Sequence, residues 1–124
     1  MIRRPLNTSL LTYHPFSYRM FDLAREYGNE GTMASAIEAA ISESGERYVY
    51  RGDLFIISKV WPTQLGFIPT TDAIYLSMQD LGTTYIDMYL LHWPACNPGI
   101  SWMHCETTVD PAGTWQESWH AMVS

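Results

Sequence analysis

Basic residues are scarce in this chain: seven Lys+Arg stand against thirteen Asp+Glu, a formal net charge of −6 over 124 residues. No stripe of positive charge is available to neutralise a phosphate backbone, which argues against a nucleic-acid partner. Long apolar runs are missing too. Nothing approaches the roughly 18 apolar residues of a membrane helix, and Leu10-Leu11 is too brief for the core of a signal peptide. By absence, the chain is expected to be cytoplasmic with no membrane partner. Cysteine is limited to Cys96 and Cys105, in one Pro- and Gly-containing stretch. The pair does not compose a disulfide framework of the secreted type, so a reducing compartment is the default. There is no Gly-x-Gly-x-x-Gly fingerprint, and Gly28-Asn29-Glu30-Gly31 is too short to cradle a phosphate. Internal repeats and low-complexity tracts are also missing. The length suffices for one domain with a sizeable core, at 47% hydrophobic content. It falls short of a closed eight-stranded β/α barrel, which takes roughly 250 residues.

Residues 1–17 show no clear period and read as an irregular leader, whose Asn7-Thr8-Ser9 sequon means little without secretion. Apolar content rises over residues 18–24 as in a short buried strand, and the turn signal Tyr27-Gly28-Asn29 follows. Residues 30–44 read as a helix, with Met33, Ile37 and Ile41 beside Ala36 and Ala40 on one stripe. Gly45 suits its C′ position and Glu30 the positive end of its dipole. Residues 54–60 are a second strand, rich in β-branched and aromatic types and ended by Pro62 and Gly66. Thr70 or Thr71 can cap a helix running through Leu81, with Ile74, Met78 and Leu81 on one face and Gly82 as its stop.

Residues 85–91 make a third strand. Alternation puts Ile86, Met88, Leu90 and His92 on one side and Asp87, Tyr89 and Leu91 on the other. A long loop over residues 93–113 follows, and Thr114 can cap a final helix with Trp115, Trp119 and Met122 roughly on one side. The chain is expected to stop inside that helix. The order βαβαβα implies parallel strands with right-handed crossovers. The expected class is therefore α/β: about three βα units of an unclosed (β/α)8 barrel, forming one partial domain over residues 18–124.

Four residues stand out on this outline. Asp22, Tyr27, Lys59 and His92 each fall at or just past the C-terminal end of a strand. Parallel neighbouring strands would gather them on one rim, where barrel folds build their chemistry. Each residue alone has an ordinary explanation, as a turn, cap, surface or interior residue. Their flanks change the weighing. In Phe21-Asp22-Leu23-Ala24-Arg25-Glu26-Tyr27-Gly28-Asn29-Glu30, Ser58-Lys59-Val60-Trp61-Pro62 and Leu81-Gly82-Thr83-Thr84-Tyr85-Ile86-Asp87-Met88-Tyr89-Leu90-Leu91-His92-Trp93-Pro94, the chain resembles the aldo-keto reductases. The resemblance runs from about Tyr18 to the C-terminus and corresponds to strands two to four of that family's barrel.

The resemblance implies an oxidoreductase that reduces an aldehyde or ketone with hydride from NADPH, with Asp22, Tyr27, Lys59 and His92 as its catalytic tetrad. Tyr27 would give the proton, Lys59 would favour its phenolate, Asp22 would hold Lys59 charged and His92 would orient the carbonyl oxygen. A phenol is by itself a poor acid at neutral pH, so a neighbouring ammonium makes chemical sense. Trp61 and Trp93 would be substrate-pocket walls and Asp22 would also meet the cofactor. The partner is a small-molecule carbonyl compound. Most groups that hold NADPH belong to the family's last strands, which are not encoded here, so the isolated chain is expected to be incomplete. The alternative is a non-catalytic product that self-associates, or binds a full-length relative, through open sheet edges.

Two further motifs invite other readings. Arg51-Gly52-Asp53 spells an adhesion tripeptide but sits where a polar turn enters a strand. His92, Cys96, His104 and Cys105 supply two His and two Cys, at spacings unlike a zinc ribbon or finger.

Overall fold

A computed structural model describes residues 18–43 and 50–124. The expectations for the leader and for Gly45 lie outside these residues, as do the side chains of Ala40 and Ile41. The elements are β1 (Met20–Asp22), α1 (Glu30–Glu43), β2 (Phe55–Val60), α2 (Phe67–Asp80), β3 (Met88–Leu91) and α3 (Trp115–Val123). The sheet is parallel with order β1-β2-β3; Asp22 is level with Ile57, Lys59 with Leu90 and Val60 with Leu91.

The central strand separates two environments. Ile56, Ser58 and Val60 are buried on its helix side. There Leu23, Leu54, Ile56 and Leu81 form a core cluster joined by Phe21, Met33, Ile37 and Ile86. Burying each large aliphatic side chain contributes about 1.5–3 kcal/mol. Ile57 and Lys59 point the other way, beside Met88 and Leu90, toward what would be the interior of a closed barrel. That face is open: Met20, Met88 and Leu90 are all exposed.

Several elements depart from the sequence expectation. Ile86 packs in the helix-side core rather than with Met88, because regular pairing starts only at β3. Just before it, the Asp87 carboxylate accepts the Ile56 N–H at 2.8 Å and the Arg51 guanidinium at 2.7 Å. Burial opposes this carboxylate's charge, yet those two donors hold it below the ordinary aspartate range. Helix α2 starts at Phe67, ahead of the expected Thr70 or Thr71 cap. Gly66 takes the N-cap with φ 113°, and Pro69 fits the first turn, where its missing N–H costs nothing. Thr70 is buried instead, its one hydroxyl proton shared between the Gln64 carbonyl at 3.0 Å and Ser118 Oγ at 2.8 Å.

Thr114 caps α3 through a reciprocal capping box with Glu117, as the sequence predicts. The aromatic side of α3 is nevertheless exposed at Trp115 and Trp119, and its buried contact is Ser118. The loop over residues 93–113 contains tight turns at Ser101–Met103 and Cys105–Thr107, separated by His104 in a left-handed conformation, φ 54°. This reversal brings the Cα atoms of Cys96 and Cys105 to 5.7 Å, and the two are bonded as a disulfide. The sequence reading excluded a multi-cysteine framework of the secreted type and did not address this single bridge. One short covalent loop needs no multi-cysteine framework.

Candidate active site

The parallel register explains how four distant residues meet. Asp22 ends β1 and Tyr27 ends the short turn Arg25–Tyr27 that follows it. Lys59 lies near the end of β2, and His92 prolongs β3, its N–H bonded to the Val60 carbonyl at 3.1 Å. All four therefore occupy one rim of the sheet.

Lys59, the sequence's single lysine, is 8% exposed. Its three ammonium protons face three acceptors: Asp22 Oδ1 at 2.5 Å, the Leu23 carbonyl at 3.0 Å and the Tyr27 hydroxyl at 3.4 Å. A buried ammonium needs that complete set, since leaving one proton without an acceptor would cost desolvation free energy. Asp22 itself stays in solvent, with 64% of its side chain exposed. The Tyr27 hydroxyl then lies 3.3 Å from His92 Nε2. Burial, and next the Lys59 charge, push the His92 imidazole below its ordinary value, against weaker opposition from Asp22 and Glu26. His92 is therefore neutral at neutral pH, and its buried Nδ1 has no hydrogen-bond partner among the described residues.

Aromatic rings border this rim. Trp61 is buried with its ring edge-on to His92 at 4.9 Å, and its indole N–H donates to the Met103 carbonyl at 3.0 Å. Trp102 links Trp93 to Trp61, its ring 5.8 Å from Trp93 and 6.0 Å from Trp61. Trp102, from the long loop, thereby belongs to the same aromatic wall.

Behind the rim, a network of four residues anchors the turn that carries Tyr27. Arg25 pairs with Asp80 at 3.1 Å and with Glu30 at 3.6 Å, and buried Glu30 accepts the Ser58 hydroxyl at 2.6 Å. Ser58 precedes Lys59, so the network ties the tyrosine turn to the lysine strand on the far side of the sheet. Gly28, at φ 60°, lets the chain turn sharply after Tyr27. Sequence reasoning assigned Glu30 only a helix-dipole role, because one sequence carries no sign of its burial.

The other two motifs find structural roles. Arg51 donates to Thr83, to the Leu54 and Tyr85 carbonyls and to Asp87, and lies over the Tyr85 ring at 4.0 Å. It is committed to the fold rather than offered to an adhesion partner. Cys96 and Cys105 are bonded to each other, which withdraws both thiolates from a metal site with His92 and His104.

A model of the Aldo/keto reductase family matches residues 8–114. The chain belongs to that family. It is 37% identical over 105 residues to an uncharacterized oxidoreductase, YtbE, of Bacillus subtilis (strain 168), covering 85% of this chain and 31% of that protein. An aldo-keto reductase of Mycolicibacterium vanbaalenii is 42% identical over 91 residues, covering 73% of this chain and 30% of its own length. The chain thus spans about a third of the length of the relatives it matches. Among solved structures, a Bombyx mori aldo-keto reductase in complex with NADP superposes with a TM-score of 0.66 at 28% identity, over 85% of this chain and 31% of that one. An aldo-keto reductase complexed with NADPH gives 0.68 at 26% identity, over 86% and 30%. The fold is accordingly part of a (β/α) barrel: among the described residues, three parallel strands with interleaved helices in an unclosed sheet.

Proposed function

We propose that residues 18–124, after a leader at residues 1–17, carry the catalytic rim of an NADPH-dependent carbonyl reductase that turns an aldehyde or ketone into an alcohol. The observation that supports this most is the Tyr27 hydroxyl, 3.4 Å from Lys59 Nζ and 3.3 Å from His92 Nε2. When bound, NADPH supplies hydride to the carbonyl carbon. As the carbonyl oxygen gains negative charge, Tyr27 transfers its phenolic proton to it, and the O–H bond of the alcohol replaces that of the phenol. Lys59 stabilises the phenolate left behind, and Asp22 keeps Lys59 charged in its buried position. His92, neutral, in its Nε2-protonated tautomer turns Nε2–H from the Tyr27 hydroxyl, 3.3 Å away, to the oxygen, and Trp61 and Trp93 wall the substrate.

The residues present fit the reacting end of the cofactor. Tyr27 and His92 direct polar atoms to one point, His92 keeps a buried nitrogen unpartnered, and the Asp22 carboxylate is accessible at the rim. Lys59, Arg25 and Arg51 are each engaged by a carboxylate, which leaves the cofactor phosphates to groups other than these three. Cytoplasmic placement belongs to the same proposal; among the described residues no helix is long and apolar enough to cross a membrane.

The test is oxidation of NADPH with a generic aldehyde by the purified chain and by Tyr27→Phe. The reading requires a wild-type rate above the variant, by up to about 10²–10⁴-fold for loss of a general acid. Equal rates reject catalysis by this chain. A second reading is then favoured by a separate observation, the exposed interior residues Met20, Met88 and Leu90: a non-catalytic chain that pairs with a second copy through that face and the strand edges.

A further inference from the structure

The aromatic wall is built on a covalently closed loop. Cys96 and Cys105 are bonded across a separation of nine positions, and the segment they enclose carries Trp102 and Met103. Those two residues make every contact between this segment and Trp61 described above: the Trp102 ring at 6.0 Å, and the Met103 carbonyl that accepts the Trp61 indole N–H at 3.0 Å. Trp61 in turn stands edge-on to His92. The chain of contact from disulfide to imidazole is therefore short and continuous. Both cysteines are half-buried, while Met103 is buried.

We infer that the Cys96–Cys105 bond is a redox-sensitive clasp that holds Trp102 and Met103 over Trp61, so that its reduction loosens the pocket wall beside His92. In a reducing compartment a disulfide that forms at all is most often transient and redox-sensing. The exchange is balanced by a dithiol reductant: its two thiols become a disulfide as the Cys96–Cys105 S–S bond gives two thiols. Once the clasp opens, the segment regains the freedom of an ordinary surface loop, and the single hydrogen bond from Trp61 to Met103 is a weak tether against it. As a device regulating the pocket, the clasp rests on the proposed carbonyl-reducing site. The physical event does not, and it is measurable without cofactor or substrate.

The experiment is thiol titration in denaturant, followed by tryptophan fluorescence with acrylamide quenching of the whole chain before and after dithiothreitol. No reactive thiol is expected in the oxidised chain and two after reduction. Reduction is expected to red-shift emission and increase quenching as Trp61 becomes wet. The shift should shrink in Trp61→Phe, and the double variant Cys96→Ser/Cys105→Ser should match the reduced wild type. Two free thiols in air-oxidised protein, an unchanged quenching slope on reduction, or an undiminished shift in Trp61→Phe would each overturn the clasp. Turnover that survives reduction unchanged would remove its regulatory role and leave the proposed reaction standing. Absent turnover with a full fluorescence response would do the reverse.

Discussion

Lys59 and Asp22 form one ion pair with unequal surroundings, the lysine buried and the carboxylate in water. Removing the exposed partner strands a buried charge, whereas removing the buried one returns a carboxylate to solvent. Asp22→Ala is therefore expected to cost about 1–3 kcal/mol. Lys59→Met should cost at most about 1 kcal/mol. Urea denaturation of the two variants checks this, and equal losses would contradict the asymmetry. His92 supports a second prediction at this scale. Burial and the Lys59 charge make the native imidazole hold its proton less tightly than the unfolded one. As pH falls below about 6.5, the unfolded chain takes up the proton first. Stability from this group is thus complete above that pH and declines below it, until native His92 is protonated too. The difference in urea midpoint between wild type and His92→Gln, followed from pH 8 to pH 5, should shrink or reverse on the acid side, and a constant difference would refute the argument.

Helix α3 shows how an element's pattern and its packing can disagree. Its aromatic residues share a side, which from sequence alone looks like the side to bury, yet Trp119 is 54% exposed and Ser118 is fully buried. The reason is close approach to α2. Ser118 Oγ accepts the Gly66 N–H at 2.9 Å and the Thr70 hydroxyl at 2.8 Å, and donates to the Thr114 carbonyl at 3.1 Å. A small polar residue fits that contact and accepts the backbone N–H of Gly66, the N-cap residue of α2. Ser118→Ala should therefore destabilise the chain by about 1–3 kcal/mol by orphaning the buried Gly66 N–H. Trp119→Ser should stay within about 0.5 kcal/mol, as for an ordinary surface change. Thermal melts of the pair would decide between the buried serine and the buried tryptophan.

For the whole molecule the open sheet matters most. β1 and β3 are its edges among the described residues, and one face presents Met20, Met88 and Leu90 to solvent. Parallel strands are ordinarily covered on both faces, and an uncovered apolar face favours association. Light scattering across a dilution series is expected to show a mass that rises with concentration, and Leu90→Lys should lower it. A monomer at every concentration with a cooperative melt would refute the second reading.

The order of strands and helices and the candidate rim were legible before any coordinates, because periodicity, caps and turn residues act over a few positions and the three flanking blocks keep their spacing. Gly66, Pro69 and Thr114 are local signals, although Pro69 concealed how early α2 begins. Longer contacts could not be read this way. The tyrosine meets the histidine across 65 positions and the lysine meets the aspartate across 37, so their distances depend on strand register. The burial of Glu30 and Ser118, the entry of Trp102 into the aromatic wall and the joining of Cys96 to Cys105 were likewise decided only by tertiary structure. Each depends on which surfaces pack against one another, and free energies of burial and pairing are properties of that packing rather than of any residue's neighbours in sequence.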